Sequence, residues 1–153
     1  MDIEKLSAFL KRAKKNTYAS EVAVKVTSQR PGSRDYEYIE GDLIYHDTYF
    51  GGTQFIGEEI VYENGKPTWG MNYNGYVLDN TVTEAEIDKS LRGALKQDYE
   101  DVIPVRGPRK FSVDNYEYTN KVSGDLMRFE GREEITKDNR AIYYALFHGG
   151  IIK

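Results

Sequence analysis

The chain contains no cysteine. That absence excludes disulfides, thiolate zinc sites, iron–sulfur clusters and a cysteine nucleophile. Histidine is nearly absent too, and His46 and His148 alone cannot form a three-histidine metal site. No segment approaches the roughly 18 consecutive apolar residues of a membrane span. The start, Met1-Asp2-Ile3-Glu4-Lys5-Leu6, lacks the basic and apolar regions of a secretory leader, so the cytoplasm is the expected compartment. Cations are not in excess: 21 Lys+Arg against 25 Asp+Glu leave a net charge of −4. That balance argues against nonspecific nucleic-acid binding, which needs a cationic face to displace counterions. No nucleophile elbow, Walker A loop or dinucleotide glycine fingerprint occurs, and neither a metal nor a cofactor is expected.

What remains is a chain of 153 residues, enough for one domain over 1–153. Aromatic residues make up 13% of it, and 13 of them are tyrosines. Tyrosine offers an apolar ring and one polar tip, which suits both sheet packing and the walls of a binding pocket.

Two helices are legible. Asp2 reads as an N-cap, and Ile3, Leu6, Leu10 and Ala13 share one face with Phe9 beside them. Thr83-Glu84-Ala85-Glu86 reads as a capping box, followed by a stripe of Ile87, Leu91, Ala94 and Leu95; Val82 and Ile87 can form a hydrophobic staple. Elsewhere the period is two. Strands are expected through Val22-Val24-Val26, from Tyr36 on through Leu43-Ile44-Tyr45 after a kink at Gly41, and at Phe55–Tyr62, Lys66–Tyr76, Phe111–Val113, Tyr116–Val122, Leu126–Ile135 and Ala141–Ile152. Asn64-Gly65 fits a type I′ hairpin. The fold class expected is α+β: a curved antiparallel sheet covered by two helices.

The halves 1–80 and 81–153 echo each other. Tyr36-Glu37-Tyr38 recurs as Tyr116-Glu117-Tyr118, and Gly41-Asp42-Leu43 as Gly124-Asp125-Leu126. Phe55-Ile56-Gly57 resembles Phe129-Glu130-Gly131, and Trp69, Tyr73 and Gly75 match Tyr143, Phe147 and Gly149 at a constant offset. Two explanations are open: a duplication into two related β-meanders, or coincidence between meanders of similar composition. With related halves, a cleft between them is a natural ligand site.

In Phe55–Tyr62, adjacent strand residues point to opposite faces, so Glu58 and Glu59 divide between them. Ile56, Glu58, Ile60 and Tyr62 form the more apolar set, which makes Glu58 the candidate inward carboxylate and general acid or base; an ion pair with an arginine such as Arg132 is the alternative. In Trp69–Gly75, Trp69 and Tyr73 share an aromatic face with Met71, and Asn72 lies on the other. Tyr49 and Phe50 stand beside the flexible Gly51-Gly52 turn. Arg106, Arg109 and Lys110 form a cationic stretch, either a solvated loop or a contact for an anionic ligand or an acidic partner.

Several segments together carry a family resemblance: Ser28-x-Arg30-Pro31-Gly32-Ser33-x-Asp35, Asp47-x-Tyr49-Phe50-Gly51-Gly52, Phe55-x-Gly57-Glu58-Glu59, Pro67-x-Trp69-x-Met71-Asn72-Tyr73-x-Gly75, Arg106-Gly107-Pro108 and His148-Gly149-Gly150. The set resembles a bacterial family of uncharacterised domains that occur alone or behind a helix-turn-helix DNA-binding module. This chain looks like the standalone form. The resemblance implies a bacterial, intracellular, sensory context and transfers no catalytic residue.

The expected function is small-molecule binding in a pocket walled by Tyr49, Phe50, Glu58, Trp69, Asn72 and Tyr73. Two alternatives stand beside it: a hydrolase or isomerase using Glu58, with Asn72 and Tyr73 as polarising donors, and a protein–protein interaction domain with an exposed aromatic or sheet-edge surface.

Overall fold

The computed structural model describes residues 2–17 and 25–153. Helix α1 (Ile3–Asn16) begins where the Asp2 carboxylate accepts a 2.8 Å hydrogen bond from the Lys5 N–H. Leu6, Phe9, Leu10 and Ala13 are fully buried, and Lys14 continues the same buried face. Helix α2 (Glu84–Leu95) opens with the full capping box: the Thr83 hydroxyl accepts from the Glu86 N–H, and the Glu86 carboxylate accepts from the Thr83 N–H. An N-cap of this kind stabilises a helix by ~1 kcal/mol. Val82 and Ile87 are buried in the same apolar cluster.

The strands are β1 (Lys25–Val26), β2 (Arg34–Glu40), β3 (Leu43–Gly51), β4 (Gln54–Glu63) and β5 (Lys66–Val77), then, after α2, β6 (Lys110–Val113), β7 (Tyr116–Asp125), β8 (Arg128–Lys137) and β9 (Arg140–Ile151). They form one curved, unclosed antiparallel sheet in the order β1-β2-β3-β4-β5-β9-β8-β7-β6. The Val22-Val24 part of the first expected strand lies outside the described residues. Asn64 (φ 51°) and Gly65 (φ 75°) form the hairpin between β4 and β5, as their left-handed tolerance requires. Gly41 does not kink one long strand. At φ 61° it reverses the chain, so that Glu40 pairs with Leu43 and the segment becomes two strands.

From β2 to β6 the strand order is symmetric about the β5–β9 pair, and β1 extends one edge without a counterpart. Tyr73 lies opposite Phe147, 74 positions further on. The sheet is irregular between Val61 and Tyr62, and again between Ile135 and Thr136, at the same offset. Gly57 sits under the Tyr73 ring as Gly131 sits under the Phe147 ring. Two of the matches noticed in the sequence do not follow this arrangement. Tyr36-Glu37-Tyr38 is on β2, whereas Tyr116-Glu117-Tyr118 is on β7, whose place across the axis belongs to β3. Likewise Gly124 (φ 89°) corresponds to Gly51 (φ 95°) and not to Gly41, because each pairs with the phenylalanine of the Phe-x-Gly element.

Both apolar clusters include helical residues. One joins α1 to Tyr45, Val61, Trp69, Met71, Tyr73 and Phe147; the other joins α2 to Tyr118, Ile135, Tyr143 and Ala145. On β4, β5 and β9 the residues of these clusters alternate with outward-facing ones, which defines a concave helix-covered face and a convex open face. Ile56 (61% exposed) and Leu146 (43%) lie on the convex face.

Candidate functional site

A cavity of about 170 Å³ lies between the concave face and α2. Strand alternation supplies its floor: Tyr45, Asp47 and Tyr49 from β3, Phe55 and Glu59 from β4, Tyr73 and Val77 from β5, and Tyr143 from β9. The apolar stripe of α2 (Ile87, Leu91, Leu95) supplies a wall, α1 contributes Lys14, and the connection after α2 contributes Arg106. Arg34, Glu84, Asp88 and Arg92 also line the space, and they balance in charge.

Five charged groups are buried at or beside the cavity floor. Lys14 is ion-paired to Glu59. Arg106 Nε and Nη2 donate to Glu133 at 3.0 and 2.5 Å, while Nη1 lies 3.8 Å from Glu59. The hydroxyls of Tyr118 and Tyr143 donate to Glu133 at 2.8 and 2.9 Å. Asp47 accepts a 2.6 Å hydrogen bond from the Tyr73 hydroxyl, and among the described residues no cation lies within 4.0 Å of it. A buried carboxylate without a cation favours its neutral form. Burial, reinforced by the negative charge of Glu59 and opposed by the Tyr73 hydrogen bond, pushes Asp47 up to about 7. Burial also lowers Lys14 below the ordinary lysine value, against the attraction of Glu59. Burial raises the Tyr45 and Tyr73 hydroxyls well above theirs.

Position 47 has a counterpart across the pseudo-axis. Asp47 pairs with Glu59, and Asn120 pairs with Glu133 in the same register. There the connection after α2 is packed against the sheet: Asn120 Nδ2 donates to the Gly107 carbonyl at 2.7 Å, and the Gly107 N–H donates to the Tyr118 hydroxyl at 3.0 Å. A neutral amide therefore occupies the position packed against the connection, and an ionisable acid occupies the position that lines the cavity.

The residues expected to form one pocket are divided by the sheet. Tyr49 and Tyr73 line the cavity. Trp69 is on the same face but is solid core: it is fully buried, stacks on Phe129 at 5.7 Å and donates its indole N–H to the Leu126 carbonyl at 3.0 Å. Phe50 and Asn72 line an open groove on the convex face. Glu58 is also on that face, with its side chain 38% exposed and bonded to Arg30 at 2.8 Å. It does not reach the cavity, and its partner is Arg30 instead of Arg132. Its neighbour Glu59 is the inward carboxylate, at 2% exposure. Counting apolar neighbours selected the wrong member of the pair because the inward face is itself charged: Lys14 and Arg106 compensate Glu59 from elements remote in sequence. Arg106 is correspondingly buried, unlike the exposed Arg109 in the same stretch.

Lys14, Tyr36, Tyr45, Asp47, Glu59 and Tyr143 line the cavity without a local sequence signal of their own, whereas Arg106 belongs to the cationic stretch already noted as a ligand contact. One available signal was the constant offset itself, which relates Glu59 to Glu133. His46 and Asp47 point to opposite faces, as strand neighbours must; His46 bonds Asp35 at 3.0 Å on the convex side. Burial alone would raise Asp35, but hydrogen bonds from Ser33, Thr48 and His46 outweigh it and hold the acid at about 2.

Gly57 keeps the Tyr73–Asp47 pair in place. A methyl group there would lie 2.4 Å from Tyr73 Cζ and 2.7 Å from the Thr48 carbonyl oxygen. Gly57→Ala is expected to destabilise the fold by ~1–3 kcal/mol through overpacking. Urea denaturation measures the loss; an unchanged midpoint would mean that Tyr73 relocates without consequence.

Among the described residues, no cluster of three or more His, Asp or Glu side chains could hold a metal ion, and no helix is long and apolar enough to cross a membrane. No curated protein and no solved structure matches the chain. Residues 47–152, which run from the cavity aspartate through α2 to the end of the sheet, match the family described as a domain of unknown function (DUF5680), and the chain belongs to that family.

Proposed function

We propose that this domain binds a small molecule in the cavity between the concave sheet face and α2. One observation carries the reading: a partly enclosed space of about 170 Å³ whose walls combine tyrosine rings with a buried acid that has no cation partner among the described residues. Binding sites are typically concave, largely apolar and supplied with a few convergent polar groups. An engineered cavity of about 150 Å³ accepts benzene, so the space suits a ligand of roughly one ring with a short substituent. We read the chain as one domain of two duplicated halves, with the space between the sheet strands of the first and helix α2 of the second. The family resemblance favours a bacterial cytoplasmic sensor, in which occupancy of the cavity is the signal.

A thermal-shift screen over small metabolites tests the reading. A ligand at 100 times its dissociation constant stabilises the folded state by about 2.7 kcal/mol. Leu91→Trp extends an indole from α2 into the cavity and is expected to abolish the response to every true hit. Hits that stabilise this variant as much as the parent chain would place binding elsewhere.

A further inference from the structure

We infer that the cavity selects a compact organic cation, a protonated amine on or beside a single ring, with its ammonium group on Asp47. This rests on the reading of the cavity as a ligand site and names the chemistry it takes. The argument starts from which buried charges already have partners. Lys14 is committed to Glu59, and Arg106 presents its fork to Glu133. Asp47 has a neutral phenol from Tyr73 at 2.6 Å and, among the described residues, no cation within ion-pair distance. An incoming anion would have to draw Lys14 or Arg106 away from a carboxylate that would then be left buried and uncompensated. An incoming cation would displace nothing and would complete the pairing.

The walls favour the same sign. Cations are attracted to the faces of aromatic rings. The chain already uses this at the cavity floor, where Lys14 Nζ lies 5.7 Å from the Tyr45 ring centre and the Arg106 guanidinium lies 5.5 Å from that of Tyr73. Tyr36 and Tyr49, stacked at 6.2 Å, and Phe55 add further ring surface. The position packed against the connection makes the same point by contrast: Asn120, at the position equivalent to Asp47, meets a backbone carbonyl and carries no charge.

Three probes of nearly equal shape separate the possibilities: benzylammonium, benzyl alcohol and benzoate, titrated calorimetrically at pH 8 into the full chain and into Asp47→Asn. Benzylammonium is expected to bind at least ~10-fold more tightly than benzyl alcohol, because both can donate a hydrogen bond to the Asp47 carboxylate but only the ammonium brings a countercharge to it. Benzoate is expected to show no binding. In Asp47→Asn the preference for benzylammonium over benzyl alcohol should vanish. Benzyl alcohol or benzoate binding as tightly as benzylammonium, or a cation preference that survives Asp47→Asn, would overturn the assignment of charge and leave the cavity as a binding site. No heat from any probe up to about 10 mM, a range that covers even millimolar affinities, would overturn both readings.

Discussion

Arg106→Ala is expected to cost about 3 to 5 kcal/mol of folding free energy, the range found when one partner of a buried ion pair is removed. A domain of this size typically has only 5–15 kcal/mol in total, so this one side chain decides much of whether the protein stays folded. Arg106 and Glu133 are both buried and joined by two hydrogen bonds, at 3.0 and 2.5 Å. Burial works against the arginine's charge, but Glu133 outweighs it and holds the guanidinium well above its ordinary value. Without the guanidinium, Glu133 would keep the hydroxyls of Tyr118 and Tyr143 but lose its countercharge in a medium that penalises a lone carboxylate. Arg106→Lys is expected to recover only part of the loss, since an ammonium cannot present two parallel donors. The double variant Arg106→Met, Glu133→Gln is expected to recover most of it, because both charges leave together. Urea unfolding of the four proteins is the measurement. A loss below ~1 kcal/mol for Arg106→Ala would show that water reaches Glu133 and that the floor of the site is not sealed.

The second large effect runs the other way. Asp47→Asn is expected to stabilise the protein, increasingly so as pH rises. The folded-state value of Asp47 is about 7, above its ordinary 3.8. Below 3.8 the acid is protonated in both states and contributes no difference. Between 3.8 and 7 the unfolded chain releases the proton while the folded chain retains it, so stability falls as pH rises. Above 7 both states are ionised and the penalty is constant, on the order of 4 kcal/mol for about three pKa units. Asparagine does not titrate, and its carbonyl oxygen can still accept the Tyr73 hydroxyl. The gap in Tm between variant and parent should therefore be small near pH 4, widen to pH 7 and level off above it. Lys14 from α1, Tyr45 beside it on β3, Glu59 from β4, Tyr73 from β5 and Arg106 from the connection all face Asp47. They are present in both proteins, so the difference curve reports position 47 together with its coupling to them. A gap that is flat with pH would show that Asp47 is ionised throughout and compensated by a cation.

Most of the scaffold was legible in the residues. Asp2 and Thr83-Glu86 marked the helix starts because capping is a local hydrogen bond. Asn64-Gly65 marked its hairpin because few residue pairs accept two positive φ values in succession. The offset relating Tyr73 to Phe147 is the offset across the centre of the sheet. Gly41 is a reversal and not a kink; a glycine between two extended runs fits either, and only pairing of Glu40 with Leu43 distinguishes them.

The site was less accessible. Strand alternation established that Glu58 and Glu59 must part, and that Trp69 and Tyr73 must share a face, because the pleat is a property of the backbone itself. Which of the two faces lies inward, and whether its rings fill space or enclose it, depended on Lys14 and Arg106 arriving from 45 and 47 positions away to neutralise Glu59. Charge compensation inside a protein acts through distance in space, and the chain order does not encode that distance. The residues therefore determined the elements and their caps, while tertiary packing alone decided where the acid with no ion-pair partner among the described residues would stand.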